Sequence, residues 1–338
     1  MKNKKMKHLN IALPLLAASL CLITSCKNDD IEFPDSGTSS VYFSQQTPIR
    51  TLVMGDDVYD TTWDNAHKSR IMVAWGGGYE TRHDVTVNLA VDPSLCDGLK
   101  FADCTAVTPM PDSYYKLAST TATIESGKVL GGVEVDYTDA FFNDPLSLTT
   151  HYVIPVKIVS QEGADTVLES KNYQLYAVKY INRWDGNWLC SGTDEINDNG
   201  QTSTVERTDE YVENYDVMTL SSTSYTQVAY PITTTVKIDG NDTQLSCTLL
   251  LSFHDDNTCT VTTETPGCTA TGSGTYTIDG AKKAWGDKDR DLIKLDYTVT
   301  YQYQPTAGGA AVTKQIHTKE QLIARDRGSK FETFEVTK

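Results

Sequence analysis

From residue 41 onward, apolar and polar positions alternate with a period of two in nearly every segment that reads as ordered. Val85, Val87, Leu89 and Val91 share one face of a run over 84–92, with Thr86, Asn88 and Ala90 on the other. Tyr152, Ile154, Val156 and Ile158 do the same further on, and Pro155 in that run suits an edge strand, where a missing backbone N–H is tolerated. Comparable stretches cover 68–75, 121–125, 129–137 and 173–180. Past the N-terminal leader, no segment sustains an apolar period of 3.6 residues through three turns, so the pattern predicts an all-β protein.

The spacing of the strands divides the chain. Between 41 and 181 about seven runs are separated by uneven loops, long near 54–67 and 93–118, which suits an immunoglobulin-like sandwich. Between 182 and 338 the runs follow one another through short turns, as in 247–253 followed by 258–263. Ile293, Leu295, Tyr297, Val299, Tyr301 and Tyr303 line one face of a long strand. An antiparallel meander of this kind removes its edges by closing into a barrel. Gly186-Asn187-Trp188 at its start and Arg325-Asp326-Arg327-Gly328 near its end resemble the lipocalin and calycin arrangement, in which a G-x-W on the first strand packs under a late arginine.

The first 25 residues have a different character. Four lysines, an apolar stretch interrupted by Pro14 and small residues before Cys26 make a secretory signal peptide too short to span a bilayer. Ile23-Thr24-Ser25-Cys26 resembles a bacterial lipobox, which implies lipidation of Cys26. Residues 26–40 are polar, contain Pro34 and Gly37, and read as a tether. Lys27-Asn28-Asp29-Asp30 resembles the surface-export signal of Bacteroidetes lipoproteins, so the expected location is the outer membrane, lipid-anchored and facing the cell exterior.

Charge narrows the partners. Removing residues 1–25 takes four lysines and no acid from 29 basic and 45 acidic residues, leaving a formal charge of about −20 that disfavours nucleic acid and anionic lipid surfaces. The lipid anchor is then the expected membrane contact. Beyond Cys26 six cysteines remain, and sequence alone leaves their pairing open. Cys96 and Cys104 flank a short loop and are the best single candidate for a disulfide. No pair of cysteines has zinc-binding spacing, and no cofactor is expected.

Catalytic chemistry finds little support. No G-x-S-x-G elbow occurs, and His67, His83, His151, His254 and His317 are scattered among polar neighbours. Glu195, Asn197, Asn199 and Glu206 approximate a calcium loop, with Glu195 where aspartate is required, and Asn197-Asp198-Asn199-Gly200 is equally a hairpin turn. Aromatic residues offer more. Sugar rings stack on Trp and Tyr through their C–H faces, while neighbouring acids and amides fix the hydroxyls. Trp75, Trp184 and Trp188 sit where packing is expected; Trp63 and Trp285 lie in polar loops and are the candidate ligand-binding residues.

Several segments together resemble one family. The run 109–118, then 122–127, then Tyr152-Val153-Ile154-Pro155-Val156 is similar to the N-terminal domain of Bacteroidetes surface lipoproteins known as domain of unknown function 1735. Residues 182–192 and 322–332 resemble the start and end of its usual C-terminal companion. The resemblance implies an accessory role in a polysaccharide-utilisation system, beside transporters and glycan-binding lipoproteins, and carries no functional residues with it. The expected function is therefore non-catalytic binding of poly- or oligosaccharide at the cell surface. The alternatives are a structural or adhesive, fimbria-associated lipoprotein and a small-ligand binder that uses the barrel interior.

Overall fold

The computed structural model describes residues 37–306 and 308–338. Cys26, the leader and most of the tether lie outside them. The chain from Ser39 onward forms one compact unit. Among the described residues its first half contains β1 (Ser40–Tyr42), β2 (Pro48–Val53), β3 (Lys68–Gly76), β4 (Val85–Val91), β5 (Thr108–Pro109), β6 (Tyr115–Leu117), β7 (Thr121–Ile124), β8 (Leu130–Tyr137), β9 (Tyr152–Glu162), β10 (Thr166–Val167) and β11 (Tyr173–Ile181). One sheet has the order β10-β1-β3-β8-β6; the other is built on β2-β11-β9-β4-β7. Alternation explains why they face each other. Ile71, Val73, Val133 and Val135 from the first meet Val85, Val87, Ile154, Val156 and Val178 from the second in one buried core.

Pro155 departs from the edge position expected for it. β9 is an inner strand, paired with β11 on one side and β4 on the other. The proline is accommodated because β4 stops at Val91, next to it. Past that end Asp92 N donates to Pro155 O at 2.8 Å, and no ladder partner is left asking for the missing N–H.

The second half contains β12 (Gly186–Asp198), β13 (Gln201–Arg207), β14 (Asp216–Ser224), β15 (Gln227–Ile238), β16 (Asn241–Phe253), β17 (Thr258–Thr263), β18 (Cys268–Ala281), β19 (Arg290–Tyr303) and β20 (Val312–Asp326), with β21 (Glu332–Thr333) beyond it. β14 through β20 pair in sequence, and β12 pairs with both β14 and β20, closing an eight-stranded antiparallel barrel as the meander pattern predicts. The inward residues of β19 are Ile293, Leu295, Tyr297, Val299 and Tyr301, all buried. Tyr303, next in that alternation, instead reaches Asp198 at 2.6 Å. Hairpins are set by local chemistry: Asn199-Gly200 and Asp239-Gly240 both take positive φ at each position, the geometry of a two-residue primed turn.

β13 stands outside the closed wall. It pairs with the outer half of β12, from Gly192↔Arg207 to Asp198↔Gln201, where β14 no longer reaches. The final residues return to the sandwich. β21 pairs with β2, and Phe334 and Val336 join Phe101, Val153 and Leu175 in a cluster on the face of the second sheet that points away from the main core.

Candidate functional site

The segment joining the two halves, 182–185, is held rigidly. Buried Asn182 uses its whole amide: Nδ2 donates to Ser224 O and Gln227 O, both at 2.8 Å, while Oδ1 accepts from Trp184 N at 3.0 Å and Asp185 N at 3.1 Å. Asp185 in turn accepts from Ser222 N and Oγ, and burial pushes its carboxyl above the usual range against those bonds. Trp184 is thereby fixed flat against Phe253, 4.1 Å between centroids and 5° between planes, with Tyr276 edge-on at 5.8 Å.

Around this segment opens a cleft of about 500 Å³, formed by both halves. The sandwich contributes Met54, Gly55, Asp56 and Asn65; the joining segment Arg183 and Trp184; the barrel Tyr225, Thr226, His254, Asp255, Asn257, Tyr276, Ile278 and Asp291. Asn65, on the single helical turn Thr62–Asn65, pins the loop above it by accepting from Gly55 N at 2.8 Å and donating to Gly55 O at 3.0 Å. Tyr225, on the β14–β15 turn, bonds His67 at 3.1 Å and packs edge-on to Phe142, so it braces barrel against sandwich. His254, Asp255 and Asn257 come from the β16–β17 hairpin, whose turn is set by Asp256 accepting from Thr258 N and Oγ1.

Below the cleft lies Arg327, 7% exposed. Its guanidinium donates to Asp56 O at 3.0 Å and Asp185 O at 2.8 Å and lies 3.8 Å from the Asp291 carboxylate. Burial pulls its pKa down, with Tyr276 and Asp291 working against that. Tyr276 donates to Asp291, and burial followed by that carboxylate raises its own pKa. Gly186 is required here. At φ +128 its hypothetical Cβ would lie 2.6 Å from Asp326 O and 3.0 Å from Arg327 Cα. The start of the barrel and the late arginine of the G-x-W resemblance thus meet through the backbone at Asp185 and Gly186.

The two loop tryptophans lie elsewhere, and neither lines the cleft. Trp63 is half-buried with the Arg70 guanidinium 4.2 Å over its ring. Trp285 packs beside Leu189, Leu292 and Ile323 on the outer barrel wall, with Arg325 at 5.4 Å. Cys96 is buried, Cys104 is exposed, and both are free thiols, so the expected disulfide between them is not formed. Cys104 occupies the left-handed region at φ +67, and its backbone N donates to Phe101 O, which shapes that loop without a bridge.

The calcium-loop residues form the β12–β13 hairpin. Asn197 Oδ1 accepts from Gly200 N at 3.0 Å, Asn199 takes the turn position, and Glu206 stands opposite Thr193 on the ladder. Glu195 points to His317, 3.4 Å away, and His317 also meets Asp296 at 2.7 Å. Hydrogen bonding to Asp296, then to Glu195, raises the His317 pKa above its usual 6.5. NMR titration should therefore find it above that value, and Asp296→Asn should bring it back down. Because the folded pKa is the higher one, the pair stabilises fully below the unfolded value and is lost as pH rises through the folded value.

Two other concavities compare poorly with the cleft. A trough of about 720 Å³ runs along β18, β19, β20 and β12, lined by Ser191, Thr193, Ser273, Thr275, Lys294 and Lys319 without an aromatic ring. Inside the barrel, about 200 Å³ remains beside Tyr230, Tyr297, Tyr301, Arg207, Asp194 and Glu320. Arg207 fills the gap between β13 and β14 and grips Asp194 at 2.8 and 3.1 Å, Glu320 at 2.8 Å and Cys190 at 3.1 Å. Burial disfavours its charge, but the bonds to Asp194 and Glu320 outweigh that and raise its pKa.

A solved protein from Bacteroides ovatus shares this architecture. Residues 183–328 match the family model for the domain of unknown function DUF5627, and a second model, for an N-terminal domain, matches 35–165. A solved protein of unknown function from Bacteroides ovatus is 37% identical, with a TM-score of 0.78 over 89% of this chain and 99% of its own. A multidomain protein including DUF1735 from Bacteroides ovatus is 14% identical, with a TM-score of 0.39 over 85% and 94%. An auxiliary nutrient binding protein from Bacteroides thetaiotaomicron is 12% identical, with a TM-score of 0.38 over 82% and 90%. A comparison with curated proteins found no match.

Proposed function

This chain belongs to the family of the 37% identical Bacteroides ovatus protein, and on that premise we propose that it binds glycan, without cleaving it, in the cleft between its two halves. The lining of that cleft is what supports the reading. Tyr225 offers exposed ring surface over a floor that contains the buried rings of Trp184 and Tyr276, and Arg183, Asn257, Asp255 and Asp56 stand around them as donors and acceptors. Clefts between domains are the common setting for such sites. The Trp184 indole N–H is buried beneath the cleft without a hydrogen-bond partner. Of the acids bordering the cleft, Asp291 is engaged by Tyr276 and by Asp279 N.

The same proposal carries the finer expectations from sequence. The chain is a lipoprotein, held through Cys26 on the outer face of the outer membrane, and serves a polysaccharide-utilisation system of the kind implied by the domain 1735 resemblance. Affinity in the millimolar to micromolar range, roughly −4 to −8 kcal/mol, suits an exposed capture site.

A screen of fluorescent glycans on intact cells displaying the full chain tests both parts. One glycan class should bind saturably, and Cys26→Ser should remove it from the cell surface. Arg183→Ala and Asp255→Ala should each weaken binding about tenfold, the loss of one good hydrogen bond to a charged group. Trp63→Ala and Trp285→Ala should leave it unchanged. Silence across the screen, or binding indifferent to the cleft substitutions, would remove the site from consideration.

A further inference from the structure

β17 is the shortest strand of the barrel wall, and where it ends the wall has a seam. Its ladders to β16 and β18 stop at Leu249↔Thr263 and Val261↔Gly272. Beyond Thr263 the chain turns through 264–267, and β16 and β18 approach each other with no strand between them. Side chains close part of the seam: Thr263 Oγ1 donates to Thr248 O at 2.6 Å, and Thr248 N donates to Thr265 Oγ1 at 2.9 Å.

Cys247 on β16 and Cys268 at the start of β18 face each other across this seam with their sulfurs 2.7 Å apart. Both are thiols in this structure, yet they stand far closer than two thiols in ordinary contact, and a short movement would bring them to the ~2.05 Å of a covalent S–S bond. Among the described residues no cluster of three or more His, Cys, Asp or Glu side chains is placed to hold a metal ion, so a shared metal does not account for the approach. The geometry points to a disulfide between Cys247 and Cys268 that staples β16 to β18 where β17 gives out. Cys96, Cys104, Cys190 and Cys259 remain thiols.

The exposure of the two sulfurs orders the chemistry. Cys268 is partly exposed and Cys247 is buried. The Cys268 thiolate attacks the disulfide of an oxidant, forming a mixed disulfide and releasing one oxidant thiol. Cys247 then gives up its proton and attacks the Cys268 sulfur, closing the protein bond and releasing the second thiol. Two protein thiols are oxidised and one oxidant disulfide is reduced. Burial raises the Cys247 pKa to about 12, which makes it the resolving partner. Tyr301, the cross-strand neighbour of Cys268, lines the internal cavity, so the staple also fixes one wall of that space.

The test uses the purified full chain incubated with oxidised glutathione, alkylated without reduction and digested at acidic residues. Asp255, Asp256 and Glu264 lie between the two cysteines, so the fragments bearing Cys247, Cys259 and Cys268 separate. The expected product is the Cys247 fragment joined to the Cys268 fragment, two hydrogens lighter than their sum, with Cys259 alkylated. Reduction should lower the melting temperature by roughly 5–10 °C, the effect of a loop of about twenty residues. Cys247→Ser/Cys268→Ser should make melting indifferent to reductant. Alkylation of both sulfurs, glutathione persisting on Cys268, or a link from either to another cysteine would each overturn the assignment.

Discussion

Arg207→Met should cost the barrel about 3–5 kcal/mol of stability, because it strips the cation from a buried polar network and leaves the anions behind. The Glu320 side chain is 1% exposed and Asp194 is 17% exposed. Both would lose their main partner, while Tyr297 still donates to Glu320 at 3.0 Å and Thr318 to Asp194 at 2.8 Å. These neutral donors, with the Cys190 thiol on Glu320 at 3.1 Å, cannot compensate a carboxylate held away from water. Urea denaturation reads this directly. The triple variant Arg207→Met/Asp194→Asn/Glu320→Gln should recover most of the loss, since removing the charges together costs far less than orphaning them. Equal losses in the single and triple variants would assign the effect to shape alone.

A loss of similar size, about 3–5 kcal/mol, is expected for Arg327→Met, but through a different kind of bond. Two of the Arg327 donors serve backbone carbonyls, one in the sandwich at Asp56 and one at the start of the barrel at Asp185. Removing them leaves buried acceptors unpaired on both sides of the cleft and leaves Asp291 without its cation 3.8 Å away. Arg327→Lys keeps the charge but not the planar fork that reaches two carbonyls at once, so it should fall between. Besides a lower urea midpoint, limited proteolysis should open the 54–61 loop sooner in the variant. Global destabilisation with unchanged cleavage of that loop would mean that the arginine supports the barrel end and not the join.

What sequence conveyed, and what it withheld, follows from how local each signal is. The inward face of β19 is legible because alternation needs only the neighbouring residues. So is the Asn199-Gly200 turn, which needs only its own backbone preference. Gly186 and Arg327 could be linked through a family resemblance, though they are far apart in sequence. Pro155 misled because edge or centre depends on where β4 ends, and the proline itself carries no information about that. Trp63 and Trp285 are a related case. Polar neighbours in sequence do not determine exposure, and Arg70 and Arg325 cover the rings from other parts of the chain. The cleft residues were invisible as a group. Asn65, Arg183, Tyr225 and His254 each sit on an unremarkable turn, and only the join between the halves brings them together. Asn182 was the available clue, a buried amide beside Trp184 at a predicted boundary.

The closure of the barrel also dictates when it can exist. The pairs that seal it, such as Asn187↔Asp326 and Cys190↔Leu322, join positions more than a hundred residues apart, and β12 waits for β20 through every intervening hairpin. The sandwich waits longer. β2 takes β21 as a neighbour, and Lys100 bridges to Thr337. During synthesis neither the barrel nor the sandwich sheet that holds β2 is complete as it emerges, and most native contacts join positions far apart along the chain. Such topologies fold slowly, over milliseconds to seconds. A polypeptide with this order of contacts stays threadable until its final strands arrive, and the two halves mature together.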